Sequence, residues 1–291
     1  MSNTNNDYYL SDIKLADLAN EIGDYRFANY LYSKVLKKEA LATEELKEKF
    51  VETERLKWNG KSILSFDGWK LSKSSYVKGN QCLKYLYLDK YKKKERTPVD
   101  EETQERFDRG HAFEDIVREQ EFPGGVNIKE KVGNFGYFNS YTKHLLSQPK
   151  EMTLYEATII EDEVLVMCDV LVKSEDGFVD IYEIKSSTKA NIAISNDLKL
   201  QYAVCKKRFK DRLRSFNLIL RVEDDEPKWV IENRIDELVD KTILVDEVTD
   251  KFKKVLNGRE PEIAMGDHCT TPYRCEFIDY CEKRGYVKSL F

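Results

Sequence analysis

The chain has 291 residues, 41% of them hydrophobic and 35% charged, which is enough apolar material for a sizeable core beneath a water-facing surface. A formal net charge of −5 excludes nucleic-acid binding driven by bulk charge, so any such binding has to be local. No apolar run approaches the ~20 residues that span a bilayer, and no basic segment followed by an apolar stretch opens the chain, so no membrane association and no secretory signal are expected. The expected location is therefore cytoplasmic, where the six cysteines are reduced or metal-bound rather than disulfide-paired.

In chain order, residues 1–58 read as an all-helical appendage. Ser11 is placed to cap a first helix, Gly23 breaks it, and "YRFANYLYSKVL" starts a second. Thr43 caps a third, with Glu44 and Glu45 in the first turn where the helix dipole favours acids. The spacing of Leu18, Gly23, Tyr25, Ala28 and Tyr32 resembles one tetratricopeptide-type hairpin, so this region is either a helical cap or a surface for a protein partner. "KWNGKS" is the expected joint to a main domain over 59–291.

That domain alternates. Helices are expected over 72–90, around Cys82, and over 100–120, stopped by "FPGG". Strands are expected over 153–160, 164–173 and 178–185, then a helix near 195–209, strands near 215–222 and 227–233, and a helix over 236–256. The order helix, three strands, helix, strand predicts an α/β fold with a mixed central sheet flanked by helices.

Within it, "VLVMCDVLVKSEDGFVDIYEIKSS" reads as a hairpin. With Glu175, Asp176 and Gly177 as its loop, Asp169 stands opposite Glu183, and Lys185 shares their face because side chains two apart on a strand point the same way. Asp180 has the other parity and is expected to stay out of the group. Two carboxylates so close repel unless a cation lies between them, and a divalent ion such as Mg²⁺ with oxygen ligands is the natural occupant. A lysine beside it can offset charge growing in a phosphoryl transition state. Glu114 and His111, three apart on the helix before the sheet, are further candidate ligands. Gln201, on the helix after it, is placed to contact substrate phosphate.

Cys269, Cys275 and Cys281 are evenly spaced, and an all-thiolate site needs a fourth ligand. Cys82 is the candidate and His268 a competitor, whereas Cys168 and Cys205 sit in apolar settings as core thiols. Four thiolates suit zinc or an iron–sulfur cluster. Closing the loop from Cys82 to Cys269, a separation of 187 positions, costs about 5 kcal/mol in chain entropy, which a metal centre would offset. For nucleic acid, "KKRFKDRLR" supplies Lys206, Lys207, Arg208, Lys210, Arg212 and Arg214, and "KYLYLDKYKKKER" interleaves lysines with tyrosines, as suits a single-strand groove.

Together these residues resemble the PD-(D/E)xK nucleases of the RecB-like branch that carries a four-cysteine iron–sulfur cluster. The resemblance covers about residues 70–285. It implies a restriction-endonuclease-like core (α-β-β-β-α-β) and a metal-dependent deoxyribonuclease with Mg²⁺ or Mn²⁺ at the active site, acting on single-stranded or end-containing DNA. It assigns Asp169, Glu183, Lys185 and Gln201 as catalytic, Glu114 or His111 as the helical metal ligand, and a 4Fe–4S cluster on Cys82, Cys269, Cys275 and Cys281, with structural zinc the alternative. The chain departs from the family where Cys205 replaces a tyrosine after the Gln motif, and where five residues separate each pair of the last three cysteines. Rival readings are a catalytically inactive nucleic-acid-binding or assembly protein of the same fold, and a scaffold built on the N-terminal helical hairpin.

Overall fold

A computed structural model describes residues 4–98, 100–222 and 228–285. The start of the strand expected over 227–233 lies on Pro227, outside the described residues, as do residues 1–3.

Three helices come first: α1 (Thr4–Glu21), α2 (Tyr25–Leu36) and α3 (Glu44–Leu56). Gly23, with φ +85°, makes the turn after α1, a conformation that favours glycine. Asp24 then caps α2 by accepting from the Phe27 amide, and its other carboxylate oxygen accepts from the Ile63 and Leu64 amides at 2.8 and 2.9 Å. One buried acid thus satisfies a helix end and anchors the chain leaving the appendage. Thr43 caps α3 through the Leu46 amide, as expected. Ser11 does not cap: the first helix already begins at Thr4, and the Ser11 hydroxyl donates to the Gly133 carbonyl at 3.2 Å. A serine about two turns inside a helix is past the orphan amides of the first turn and bonds elsewhere.

The remainder runs β1 (Leu71–Ser72), α4 (Lys73–Gln81), α5 (Leu83–Tyr91), α6 (Glu101–Glu121), β2 (Val126–Asn127), α7 (Ile128–Val132), α8 (Phe138–Leu146), β3 (Met152–Glu161), β4 (Val164–Lys173), β5 (Val179–Lys185), α9 (Ile192–Phe209), β6 (Leu213–Arg221), β7 (Trp229–Asn233), α10 (Ile235–Leu238), α11 (Thr242–Asn257) and α12 (Ile278–Lys283). The sheet order is β2-β3-β4-β5-β6-β7, with β1 pairing to β4. It is mixed: β3–β4, β4–β5 and β6–β7 are antiparallel, while β1–β4, β2–β3 and β5–β6 are parallel. The fold is α/β with an open sheet covered by helices. No helix among the described residues is long and apolar enough to cross a membrane.

Helices cover both faces. Phe113 and Val117 of α6 pack on Val170, Ile184 and Ile219. On the other face Leu198, Leu200, Tyr202 and Cys205 of α9 join a core that includes Val166, Cys168, Ile181 and Phe216. That core continues without a break into Leu15, Leu18, Ala28 and Tyr32 of α1 and α2, so the N-terminal helices bury their apolar stripes against their own neighbours and against the body of the protein.

Two expected helices are interrupted. The one over 72–90 is broken at Cys82, which takes extended backbone (φ −161°, ψ 127°) while its amide closes α4 and its carbonyl starts α5. The one over 236–256 is split into α10 and α11. Gly79 in α4 explains part of the local packing: a Cβ there would stand 2.6 Å from the buried ring of Phe252 on α11. Gly→Ala inside a helix ordinarily gains about 1 kcal/mol. Gly79→Ala is expected to reverse that sign, costing about 1–3 kcal/mol by overpacking, measured by denaturant unfolding. A stabilised variant would contradict this packing.

Candidate active site and thiol centre

The hairpin forms in the expected register. Val170 pairs with Tyr182, and Lys173 with Val179. Ser174 bonds to Phe178 across the loop, and Gly177 has φ +85°. Beyond Val170 and Tyr182 the two strands stop pairing with each other, and β5 continues on β6 alone. Asp169 is the first residue past that fork, and its Oδ2 accepts from the Ile184 amide at 2.7 Å, in place of a ladder carbonyl. On its other side the β3–β4 pairing skips Glu156 and Asp169, and Glu156 takes φ +55°. Strict alternation fails here: Cys168 and Leu171 both lie in the α9-side core, whereas Val170 faces α6. Such irregularities re-aim side chains, and this one leaves the Asp169 carbonyl free to accept from Arg118 of α6 at 2.9 Å.

Glu183, with no exposed surface, lies at the centre of the charge cluster. Its Oε1 accepts from Lys185 and, at 2.8 Å, from Lys73, the first residue of α4. Asp197 of α9 contacts the same two ammoniums, Lys185 at 3.0 Å and Lys73 at 3.5 Å. Burial pushes Asp169 well above the usual carboxylate range, and the neighbouring charge of Glu183 pushes the same way. Glu183 itself is held low: burial opposes its ionisation, but the Lys185 and Lys73 ammoniums outweigh it. Burial also opposes the charge on Lys185 and Lys73, and the surrounding carboxylates overcome it and raise both. Asp180, as expected, stays out, paired instead with Arg214 and Ser215.

Glu114 faces this cluster from α6 but leans on Arg118, which also binds Glu156 at 2.9 Å. Burial raises the Glu114 carboxyl against the pull of Arg118. His111 is mostly exposed, its ring nitrogen 3.9 Å from Glu114. Gln201 is fully buried one turn beyond Asp197, and its amide donates to the Met167 carbonyl at 3.3 Å.

Among the described residues, no group of three or more His, Cys, Asp or Glu side chains stands at metal-holding spacing. The donor chemistry nonetheless suits a hard cation. Glu183 Oε2, Asp197 Oδ1 and Gln201 Oε1 are buried oxygens with no hydrogen-bond partner, an arrangement that calls for an unmade contact. Glu183 and Asp197 supply carboxylate oxygens to one, and Asp169 and Glu114, the other ligands the resemblance implies, carry carboxylates of the same kind.

Sequence reasoning missed Lys73, Asp197 and Arg118. Two had a signal: Asp197 is four residues before Gln201 and Arg118 four after Glu114, the spacing of one helix face. Lys73 had none, lying 110 residues from Glu183.

The four candidate thiols gather about one small cavity, with His268 at its edge. The break at Cys82 puts that thiol at the joint of α4 and α5, and the neighbouring Gln81 amide donates to the His268 and Tyr273 carbonyls, both at 2.7 Å, fastening the loop that carries Cys269 and Cys275. Phe277, fully buried against Tyr85, and ion pairs from Lys78 and Arg96 to Glu276 hold the tail in place. All four cysteines are free. Burial pushes the Cys275 thiol up to about 12, and the other three sulfurs push the same way. The four sulfurs do not stand at metal-holding spacing, but their chemistry suits a four-thiolate centre, because a metal that deprotonates and binds them relieves their mutual repulsion. Cys168 and Cys205 are core thiols as expected, with sulfurs 3.7 Å apart.

The basic strip is largely spent. Lys207 pairs with Asp162 and Asp246 at 2.7 Å each, Arg214 with Asp180, and Lys206 and Arg208 with Asp211 and Glu161 at 3.7 Å each. Lys210 and Arg212 have no ion-pair partner among the described residues. In the second strip Lys84 is buried, and its ammonium donates to the Ile263 carbonyl.

Neither a family model nor a curated protein matches the chain.

Proposed function

We propose that the protein is a divalent-cation-dependent nuclease of PD-(D/E)xK type, hydrolysing phosphodiester bonds in DNA that is single-stranded or has ends, in the cytoplasm. The observation that carries this reading is the fork between β4 and β5, which delivers Asp169, Glu183 and Lys185 to one buried cluster. The succession α6, β3, β4, β5, α9, β6 supports a restriction-endonuclease-like core.

When bound, Mg²⁺ or Mn²⁺ would supply positive charge against the scissile phosphate and ease deprotonation of water. Asp169 and Glu183 would hold it, with Glu114 assisting. Lys185, fixed between Glu183 and Asp197, presents a permanent cation to the developing charge on phosphorus-bound oxygen. Gln201, on α9, would help to place the phosphate. Lys210 and Arg212 remain candidates for backbone contact. The thiol centre is proposed to hold a 4Fe–4S cluster or zinc in a structural role.

Incubating the full chain with labelled single- and double-stranded DNA in Mn²⁺ tests this. Progressive degradation in Mn²⁺, none in EDTA, is expected. Intact DNA of both kinds, from protein shown to be folded, would contradict it.

A further inference from the structure

Lys73, Glu183, Lys185 and Asp197 close a ring of alternating charge. Lys73 meets Glu183 at 2.8 Å, Glu183 meets Lys185, Lys185 meets Asp197 at 3.0 Å, and Asp197 returns to Lys73 at 3.5 Å. The proposed chemistry uses Lys185 and leaves Lys73 unexplained. Helix preference does not explain it either, because the first turn of a helix disfavours a cation and Ser72 already caps α4. What Lys73 does is electrostatic. With Asp169, Glu183 and Asp197 all ionised, the state in which carboxylates bind a hard cation, Lys185 alone leaves an excess of two negative charges. Lys73 reduces that excess to one while loading both ammoniums onto a single oxygen, Glu183 Oε1, so that Oε2 stays buried and without a hydrogen bond. Its contact to Asp197 is the longest in the ring, and Asp197 Oδ1 has no hydrogen bond, so a second acceptor stands ready when the ammonium gives way.

We propose that Lys73 is a built-in counter-cation: a positioning residue that holds Glu183 in place before a divalent cation arrives and weakens that cation's binding once it is there. This rests on the nuclease reading above. A merely structural lysine and a counter-cation predict opposite signs when the charge is removed.

The experiment titrates Mn²⁺ alone into full-length protein stripped with EDTA, with free Mn²⁺ counted by electron paramagnetic resonance. Lys73→Met, which keeps the length and removes the charge, is expected to bind Mn²⁺ about tenfold tighter than wild type, since a nearby like charge is gone. Its melting temperature should fall in EDTA and recover in Mn²⁺. Lys73→Arg should stay near wild type. Asp197→Asn, which leaves Lys73 wholly to Glu183, should bind more weakly. Mn²⁺ affinity of folded Lys73→Met equal to or below wild type, or tighter binding by Asp197→Asn, would overturn the inference. Asp169→Asn separates the two levels. If it abolishes Mn²⁺ binding while Lys73→Met fails to tighten it, only the inference falls. If wild type itself binds no Mn²⁺, the nuclease reading falls and the inference with it.

Discussion

Lys185→Ala is expected to cut Mn²⁺-dependent DNA cleavage about 100- to 1,000-fold, the loss typical of removing one preorganised charge from a transition state. That factor corresponds to about 2.7–4 kcal/mol. Lys185 is suited to the role because both of its partners are buried and fixed: Glu183 is anchored in β5 between β6 and the fork, and Asp197 on α9. The fold should survive, because Lys73 still contacts both carboxylates, and circular dichroism would verify this. Lys189, exposed just past β5, is the control, and Lys189→Ala should cleave as wild type does. Unchanged cleavage by Lys185→Ala would reduce the lysine to an ion-pair partner.

The second large effect is on the thiol centre. Cys275→Ser is expected to release the metal, read as loss of iron and sulfide or of zinc from the purified protein, and to lower the melting temperature by roughly 10 °C. The size follows from about 5 kcal/mol of loop closure no longer offset and a few degrees per kcal/mol for a domain of this length. Cys205→Ala, at a core thiol away from the centre, should leave metal content unchanged. The loss should reach the active site as well. Cys82 ends α4 and Lys73 begins it, so one nine-residue helix links the thiol centre to Glu183. Wild-type protein without metal that melts with Cys275→Ser would contradict the centre.

The hairpin was legible because its turn is local: a glycine in the left-handed position fixes the register, and the register brings Asp169 and Glu183 to the same end of it. The strand fork was not legible. Alternation predicts that Cys168 and Leu171 face opposite ways, and the irregularity at Glu156 and Asp169 lets β4 change phase so that both join the α9-side core. The break at Cys82 was hidden for a related reason. The poor helix formers in "KGNQCLKYL", Gly79 and Asn80, lie inside α4 and not at the break, and the extended residue is held by tertiary bonds from Gln81 to a segment about 190 residues away. Ser11 shows the converse, a good capping residue overruled by a helix that starts earlier. Residues 122–152, where α7 and α8 lie, carry no strong period and drew no expectation. Basic clusters were visible as composition, but their partners, Asp162, Asp246 and Asp180, come from other elements, so the net charge of that surface is a property of the fold.

Asp169 and Glu183 are proposed to share a divalent cation. Crystals grown with Mn²⁺ and measured near the manganese edge test it most directly. An anomalous peak bridging the Asp169 and Glu183 carboxylates, with the Lys73 ammonium displaced toward Asp197, is the predicted result. No peak at the fork, with both ammoniums still on Glu183 Oε1, would contradict it.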